Sequence, residues 1–303
     1  MTRIDAAATD PRPGIPPAGP ATAVPNSRSR NRVLRSARSL LRTPALLVSW
    51  LIVLVVVAWA IAPGMFSSFD PIVGVGADKL QGPSLAHFFG TDSLGRDVLS
   101  RVIHGSILSL SGAFVAVTVG LIGGTLIGLL AGSIGGVIDD ALMRLVDVLL
   151  AIPGLLLALT VIILLGFGTI NAAIAVGIGS IATFARVTRS EVVRVRRAEY
   201  VEAAFGSGGR FFPVLWRHVL PNSVGPVISL AALQFGSAIL SISTLGFLGY
   251  GSPPPTPEWG LLISEGRNFV GTAWWLTALP GLVVVLSVLS VNRISHSIGR
   301  SQS

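Results

Sequence analysis

The sequence predicts an all-α integral membrane protein with six transmembrane helices. Hydrophobic residues make up 51% of the 303 residues and charged residues only 12%, about half the charged share of a soluble domain. The apolar residues are gathered into uncharged runs long enough to cross about 30 Å of hydrocarbon. The basic residues fall between those runs rather than inside them. Mean hydropathy is +0.75. The net charge of +8 sits at the ends of apolar segments, which suits anionic headgroups and membrane topology and argues against nucleic acid as a partner.

Residues 1–43 carry arginines at 3, 12, 28, 30, 32, 35, 38 and 42 among Pro, Ala and Ser. With no apolar periodicity to bury, this is expected to be a disordered basic tail. The remainder, 44–303, reads as one membrane domain. A first span is predicted at 45–62; Ala58-Trp59-Ala60 mimics a signal-cleavage site, but the basic region in front is too long for a signal and Pro63-Gly64 reads as a helix stop, so the span is expected to be retained. A polar loop comes next, over 65–104. The second span, 106–132, lies in an uncharged run from Gly105 to Ile138, and its glycines at 120, 124, 128 and 132 make successive GxxxG spacings that let a neighbouring helix approach closely.

The patch Asp139, Asp140, Arg144 and Asp147 has spacings that allow it to pair its own charges along one helix face. The uncharged stretch from Val148 to Ala185 would make about 57 Å of helix, too long for one crossing. It is predicted to fold back at Gly166–Asn171, giving spans at 146–166 and 170–188. A polar segment over 189–222 precedes the fifth span, 223–248. The Pro-rich turn Gly251–Trp259 leads to the sixth, 272–292, with Trp259, Trp274 and Trp275 expected in an interfacial belt. Six spans put 18 of the 22 basic residues on one side, leaving Lys79, Arg96, Arg101 and Arg267 on the other. By the positive-inside rule both termini are cytoplasmic and the 65–104 loop is extracytoplasmic.

The residue inventory excludes most chemistry. There is no cysteine, and the four histidines are scattered, so neither a thiolate nor a metal site is expected. A phosphate-binding Walker A loop needs a lysine after glycine, but Lys79 stands between Asp78 and Leu80. Span centres lack the ionisable groups of ion-coupled carriers. No catalytic residue, bound cofactor or metal is expected, so active transport by this chain needs energy from a partner. The segment to receive it is Glu199–Asn222. Glu199–Phe205 is predicted helical, Gly206, Gly208 and Gly209 break it, and Arg210–Val219 forms a second helix stopped at Leu220-Pro221. Ala203 and Ala204 are small enough for close docking, and Glu199 and Glu202 can meet basic groups on a partner.

The run Glu202-Ala203-Ala204, three residues, Gly208, nine residues, then His218-Val219-Leu220-Pro221 resembles the EAA loop of binding-protein-dependent ABC transporter permeases. Phe89 to Arg101, Met143-Arg144 through Asp147 to Ala151-Ile152-Pro153-Gly154, and Arg217 to Asn222 resemble the dipeptide/oligopeptide branch and its C-type subunit, a likeness running from about residue 40 to the end. The resemblance implies a type I ABC importer permease fold with EAA coupling helices on the cytoplasmic side. It implies a heterodimer with a B-type permease, two cytoplasmic ATP-binding subunits that carry the ATP and magnesium, an extracytoplasmic substrate-binding protein, and a peptide substrate. Coupling would then fall to Glu202, Ala203, Ala204, Gly208, His218, Leu220 and Pro221. Phe205-Gly206-Ser207 is richer in glycine than the family pattern and is expected to loosen this knob. Related permeases carry nickel or glutathione, and a self-contained channel or carrier is the alternative from a different class.

Overall fold

The computed structural model of the chain describes residues 44–300; the basic stretch 1–43 lies outside the described residues. Nine helices, labelled in chain order, organise them. Five are long and apolar enough to cross a membrane, and a sixth crossing requires a bent pair to count as one span. The first helix, α1, Pro44–Ile61, buries little beyond Leu46, Ser49 and Val56, so most of its surface is free to face lipid. Next, α2, Val98–Ile134, runs 37 residues, about 55 Å. It starts at Asp97, whose side chain accepts from the Ser100 amide at 2.6 Å, and ends at Gly135, where φ is +76°, a value glycine adopts without strain.

The third expected span, 146–166, is not one helix. It divides into α3, Gly136–Ala151, and α4, Gly154–Leu165, which meet at 95°. Pro153 is the physical reason: the residue before a proline is pushed out of the helical region, and Ile152 is extended with ψ at 128°. The 12 residues of α4 reach only about 18 Å. The chain reverses at Gly166 and Gly168, both at positive φ, and Asn171 Nδ2 donates to the Leu165 and Gly166 carbonyls at 3.0 and 3.1 Å. The return helix is α5, Thr169–Arg196. After a short α6, Glu199–Gly206, come α7, Phe211–Phe247, α8, Trp259–Gly266, and α9, Trp275–Arg300.

The tightest seam joins α2 to α5. A Cβ on Gly128 would lie 2.5 Å from the Ala185 carbonyl oxygen and 2.7 Å from the Thr188 Cβ, and one on Gly132 2.9 Å from the Val192 Cβ. Gly177 returns the fit, since a Cβ there would lie 2.7 Å from the Ala116 oxygen. The glycine stripe thus meets a specific neighbour, and main chains close enough for that contact are what hold helices together where lipid removes the hydrophobic drive.

At the end of α2 far from Gly132, the loop from Met65 to Asp97 is locked against α8. Arg101 is 1% exposed and donates to Asp92 at 2.8 Å and Glu265 at 2.7 Å. Arg96 binds Asp92 at 2.6 Å. Burial works against ionisation of Asp92, yet backbone hydrogen bonds from Arg96 and Leu94 and the two guanidinium charges hold its carboxyl below the usual range. The indoles join the lock. Trp259 is fully buried and donates Nε1 to the Val102 carbonyl at 3.0 Å, and Trp275 donates to the Thr91 carbonyl at 3.2 Å. These two tryptophans therefore belong to the core rather than to an interfacial belt; Trp274 alone of the three is exposed. The reason lies in glycines opposite them, Gly105 at Trp259 and Gly90 at Trp275, which leave room for a ring.

The charges of 139–147 pair across helices, not along their own. Asp139 takes a bidentate contact from Arg189 of α5 at 2.5 and 2.6 Å, and Asp147 pairs with Arg186 at 2.6 Å. A fork-on-carboxylate contact has better geometry than a pair strung along one helix face.

Glu258 is fully buried at the start of α8, outside the spans, where it accepts from the Gly260 and Leu261 amides at 3.0 and 3.3 Å. Gly246 and Gly251 press on its carboxylate where any side chain would overlap it. Burial pushes this carboxyl up to about 7, against the two backbone hydrogen bonds that favour its charge. The folded chain then holds a proton that the unfolded chain has released. Stability present below pH 4.5 is lost as pH rises towards 7, by about 3 kcal/mol in all. The melting temperature of the purified protein is expected to fall between pH 5 and 7.5, and Glu258→Gln to flatten that dependence. An unchanged slope in the variant would assign it to other groups.

Candidate coupling site

The Glu199–Val219 segment forms at the other end of α2, beside Leu129. Its first helix, α6, carries Glu199 and Glu202 in the opening turn, where negative charge is favoured by the helix dipole. Its far end is closed by a complete Schellman motif: the Gly209 amide donates to the Ala204 carbonyl at 3.0 Å and the Gly208 amide to the Phe205 carbonyl at 2.9 Å. Gly208 takes the left-handed position at φ +85°, as the expected bend requires. Gly209 has a separate role: a Cβ there would lie 2.5 Å from the Ala204 oxygen and 2.8 Å from Val214 Cγ2. The glycine-rich Phe205-Gly206-Ser207 does not loosen this unit, because the helix runs through Gly206 and the cap fixes the residues after it.

The second half differs from expectation more sharply. The helix that begins at Phe211 does not stop at Leu220-Pro221 but continues to Phe247. Between Leu215 and Val219 it widens into a π turn, and the Leu220 amide reaches back five residues to the Leu215 carbonyl. The widened turn shifts the hydrogen-bond register just ahead of Pro221, so a residue without an N–H is accommodated inside a continuous helix.

This geometry sorts the expected residues. Glu202 and Ala203 are exposed on α6, Ala204 is half-buried beneath them, and Gly208 makes the bend. His218, Leu220 and Pro221 sit instead in the shaft of α7 itself, at and just beyond its π turn. The His218 carbonyl accepts from Asn222 at 2.6 Å; Leu220 is half-buried and Pro221 exposed. Beneath the surface, Val192 and Val195 of α5, Val201 of α6, and Val214, Leu215 and Val219 of α7 form one buried cluster. Burial of each such side chain contributes about 1.5–3 kcal/mol, enough for the unit to move with the ends of α5 and α7 rather than swing on a tether.

Sequence reasoning missed the aromatic rim. Tyr200, Phe205, Phe211, Phe212 and Trp216 are all exposed, Phe212 to 69% and Trp216 to 63%. Aromatic residues spaced through a polar loop gave the signal, since none is needed to close so small a cluster.

A helical bundle of five or six crossings with a rigid helix–bend–helix at one end has the type I ABC importer permease fold, and solved structures of that class superpose on it. Inward-facing MetNI methionine ABC transporter matches with a TM-score of 0.55 at 16% identity over 68% of this chain and 97% of that one. An amino acid ABC transporter solved with histidines matches with a TM-score of 0.53 at 16% identity, over 67% and 94%. The chain belongs to the family described as Binding-protein-dependent transport system inner membrane component, whose pattern spans residues 124–302. It is therefore a multi-pass membrane protein of a transport system that works with ATPase and binding-protein partners. Relatives are the dipeptide transport system permease protein DppC of Alkalihalophilus pseudofirmus, 41% identical over 73% of each chain, and the di/tripeptide transport system permease protein DppC of Pseudomonas aeruginosa, 42% identical over 70% of each. The glutathione transport system permease protein GsiD of Escherichia coli is 41% identical over 84% of this chain and 83% of its own.

Proposed function

We propose that this chain is the permease subunit of an ATP-driven importer of dipeptides and oligopeptides, forming half of the translocation path beside a B-type permease. Two cytoplasmic subunits bind and hydrolyse ATP with magnesium, and a binding protein delivers peptide from outside. Both termini and the Glu199–Val219 unit are then cytoplasmic, the side that collects most of the basic residues. The observation that carries this reading is the unit itself: Glu202 and Ala203 stand on a capped helix, rimmed by exposed aromatics and fixed by a valine cluster to α5 and α7. A groove on each ATPase can seat the helix, Glu202 meeting basic groups and Phe212 and Trp216 filling apolar ones, so that movement of the ATPase tilts the two helices. Glu202→Lys is expected to lower uptake of labelled trialanine at least about tenfold, with loss of ATPase subunits from the purified complex. Normal uptake by an intact Glu202→Lys complex would remove the coupling role. The glutathione-type relatives favour a second substrate, itself a tripeptide, and competition of trialanine uptake by glutathione separates the two.

A further inference from the structure

A groove of about 350 Å3 runs between α4, α5 and α7. Its walls carry Ser180 and Thr183 of α5 and Gln234, Ser237, Ser241 and Thr244 of α7. On α7 the steps between these positions are three, four and three residues, which places all four on one face of the helix; together they extend over about 15 Å of its length. Ser180 and Thr244 hydrogen-bond back to their own helices at the Val176 and Leu240 carbonyls, at 3.1 and 2.8 Å. The side chains of Thr183, Gln234 and Ser241 are half-buried and that of Ser237 is exposed, so all four are reachable from the groove. Two other grooves between spanning helices, one walled by Leu51, Val55 and Leu286 and one by Val53, Phe114 and Ile239, are apolar apart from one or two serines. A third groove, walled by Leu121, Val224 and Ile228, carries Thr125, Thr188 and Ser223; the groove between α4, α5 and α7 differs in having six such polar residues, four of them in a stripe on one face of α7.

Polar side chains in a membrane segment collect where they meet water or a polar partner. We propose, resting on the importer reading above, that this stripe is the chain's share of the solute path, and that Thr183, Gln234, Ser237 and Ser241 are its peptide-contacting residues. Hydroxyls and a carboxamide both donate and accept, as peptide groups do, and no charged residue lines the groove. The path then engages the amide backbone common to all peptides and does not select on side-chain charge. Gly154 and Gly179 leave the groove mouth open, since a Cβ at Gly154 would meet nothing within 4 Å and one at Gly179 would only touch Leu157 at 3.8 Å.

The chain contains no cysteine, so each position can be probed in its native background. Thr183→Cys, Ser237→Cys and Ser241→Cys are compared with Leu289→Cys, an exposed apolar position on α9, in the complete importer in membrane vesicles. A charged, water-soluble methanethiosulfonate is expected to modify the three groove cysteines at least about tenfold faster than the one at 289, because only a hydrated thiol ionises readily. Modification at 241 is expected to lower trialanine uptake about tenfold against the same variant unmodified, while loaded binding protein still stimulates ATP hydrolysis. Groove cysteines as slow as the one at 289, in an importer that transports trialanine normally, would overturn the assignment and leave the importer reading intact: the face would then be packed against the partner permease or lipid. Absence of any ATP-dependent uptake by the unsubstituted importer would bring down both.

Discussion

Arg101→Met is expected to cost about 3–5 kcal/mol of stability, the usual penalty for removing one partner from a buried ionic cluster. Arg101 is almost wholly enclosed, and its Nη1 is shared by Asp92 and Glu265. Without it Arg96 alone must serve both carboxylates, and it stands 3.5 Å from Glu265. The loop from Met65 to Asp97 should then come away from α8 and become open to protease in the purified importer, with a lower melting temperature. Adding Glu265→Gln to Arg101→Met should recover much of the loss, since the charge left without a partner goes with the arginine while Arg96 keeps Asp92. A single variant that melts and resists protease like the native chain would show that the cluster does not hold the loop.

Gly124→Leu is expected to abolish folded subunit. A Cβ at 124 would overlap that of Phe184 and stand 2.6 Å from the Ile181 oxygen and 2.8 Å from the Ala185 amide nitrogen. Main chain cannot yield as a side-chain tip can, so α2 and α5 must part along their seam, and the cost exceeds the roughly 1–3 kcal/mol of ordinary overpacking. Gly123→Ala is the control, because its new methyl would meet the flexible end of Ile181 at 3.0 Å. Size-exclusion chromatography of detergent-extracted subunit should find the alanine variant near native yield and the leucine variant aggregated. Equal yields would mean that the seam is not a close main-chain contact.

Much of this architecture is written locally. Uncharged runs set the long helices, paired glycines mark the reversal at 166–168, and the GxxxG spacing announces a close neighbour without saying which. The bend at Pro153 was hidden because the apolar run continues across it, so hydropathy alone joins two helices that the proline separates. Leu220-Pro221 misleads for the opposite reason. A proline read locally ends a helix, but a π turn just ahead of it keeps α7 unbroken, and nothing in the residues from Leu215 to Val219 announces that turn. The partner of Asp139 lies fifty residues away, and Glu265, one of the two carboxylates on Arg101, more than one hundred and sixty, beyond the reach of any spacing rule. At the candidate coupling unit, the alanines, Glu202 and the bend at Gly208 were legible. The Schellman closure at Gly209 and the aromatic rim needed the fold, as did the polar face of α7, because a serine in a helix says nothing about what lies opposite it.

On the proposed importer reading, transport by this bundle depends on its being driven through the Glu199–Val219 unit by an ATP-hydrolysing partner on the cytoplasmic side. A photoreactive amino acid at position 203, on the exposed face of α6, tests that dependence in vesicles holding the assembled importer. A single dominant crosslink to the ATPase subunit is expected, at a yield that changes when nucleotide is added. A crosslink only to lipid or to the binding protein, or reaction of a cysteine at 203 with an impermeant reagent applied from outside the cell, would contradict it.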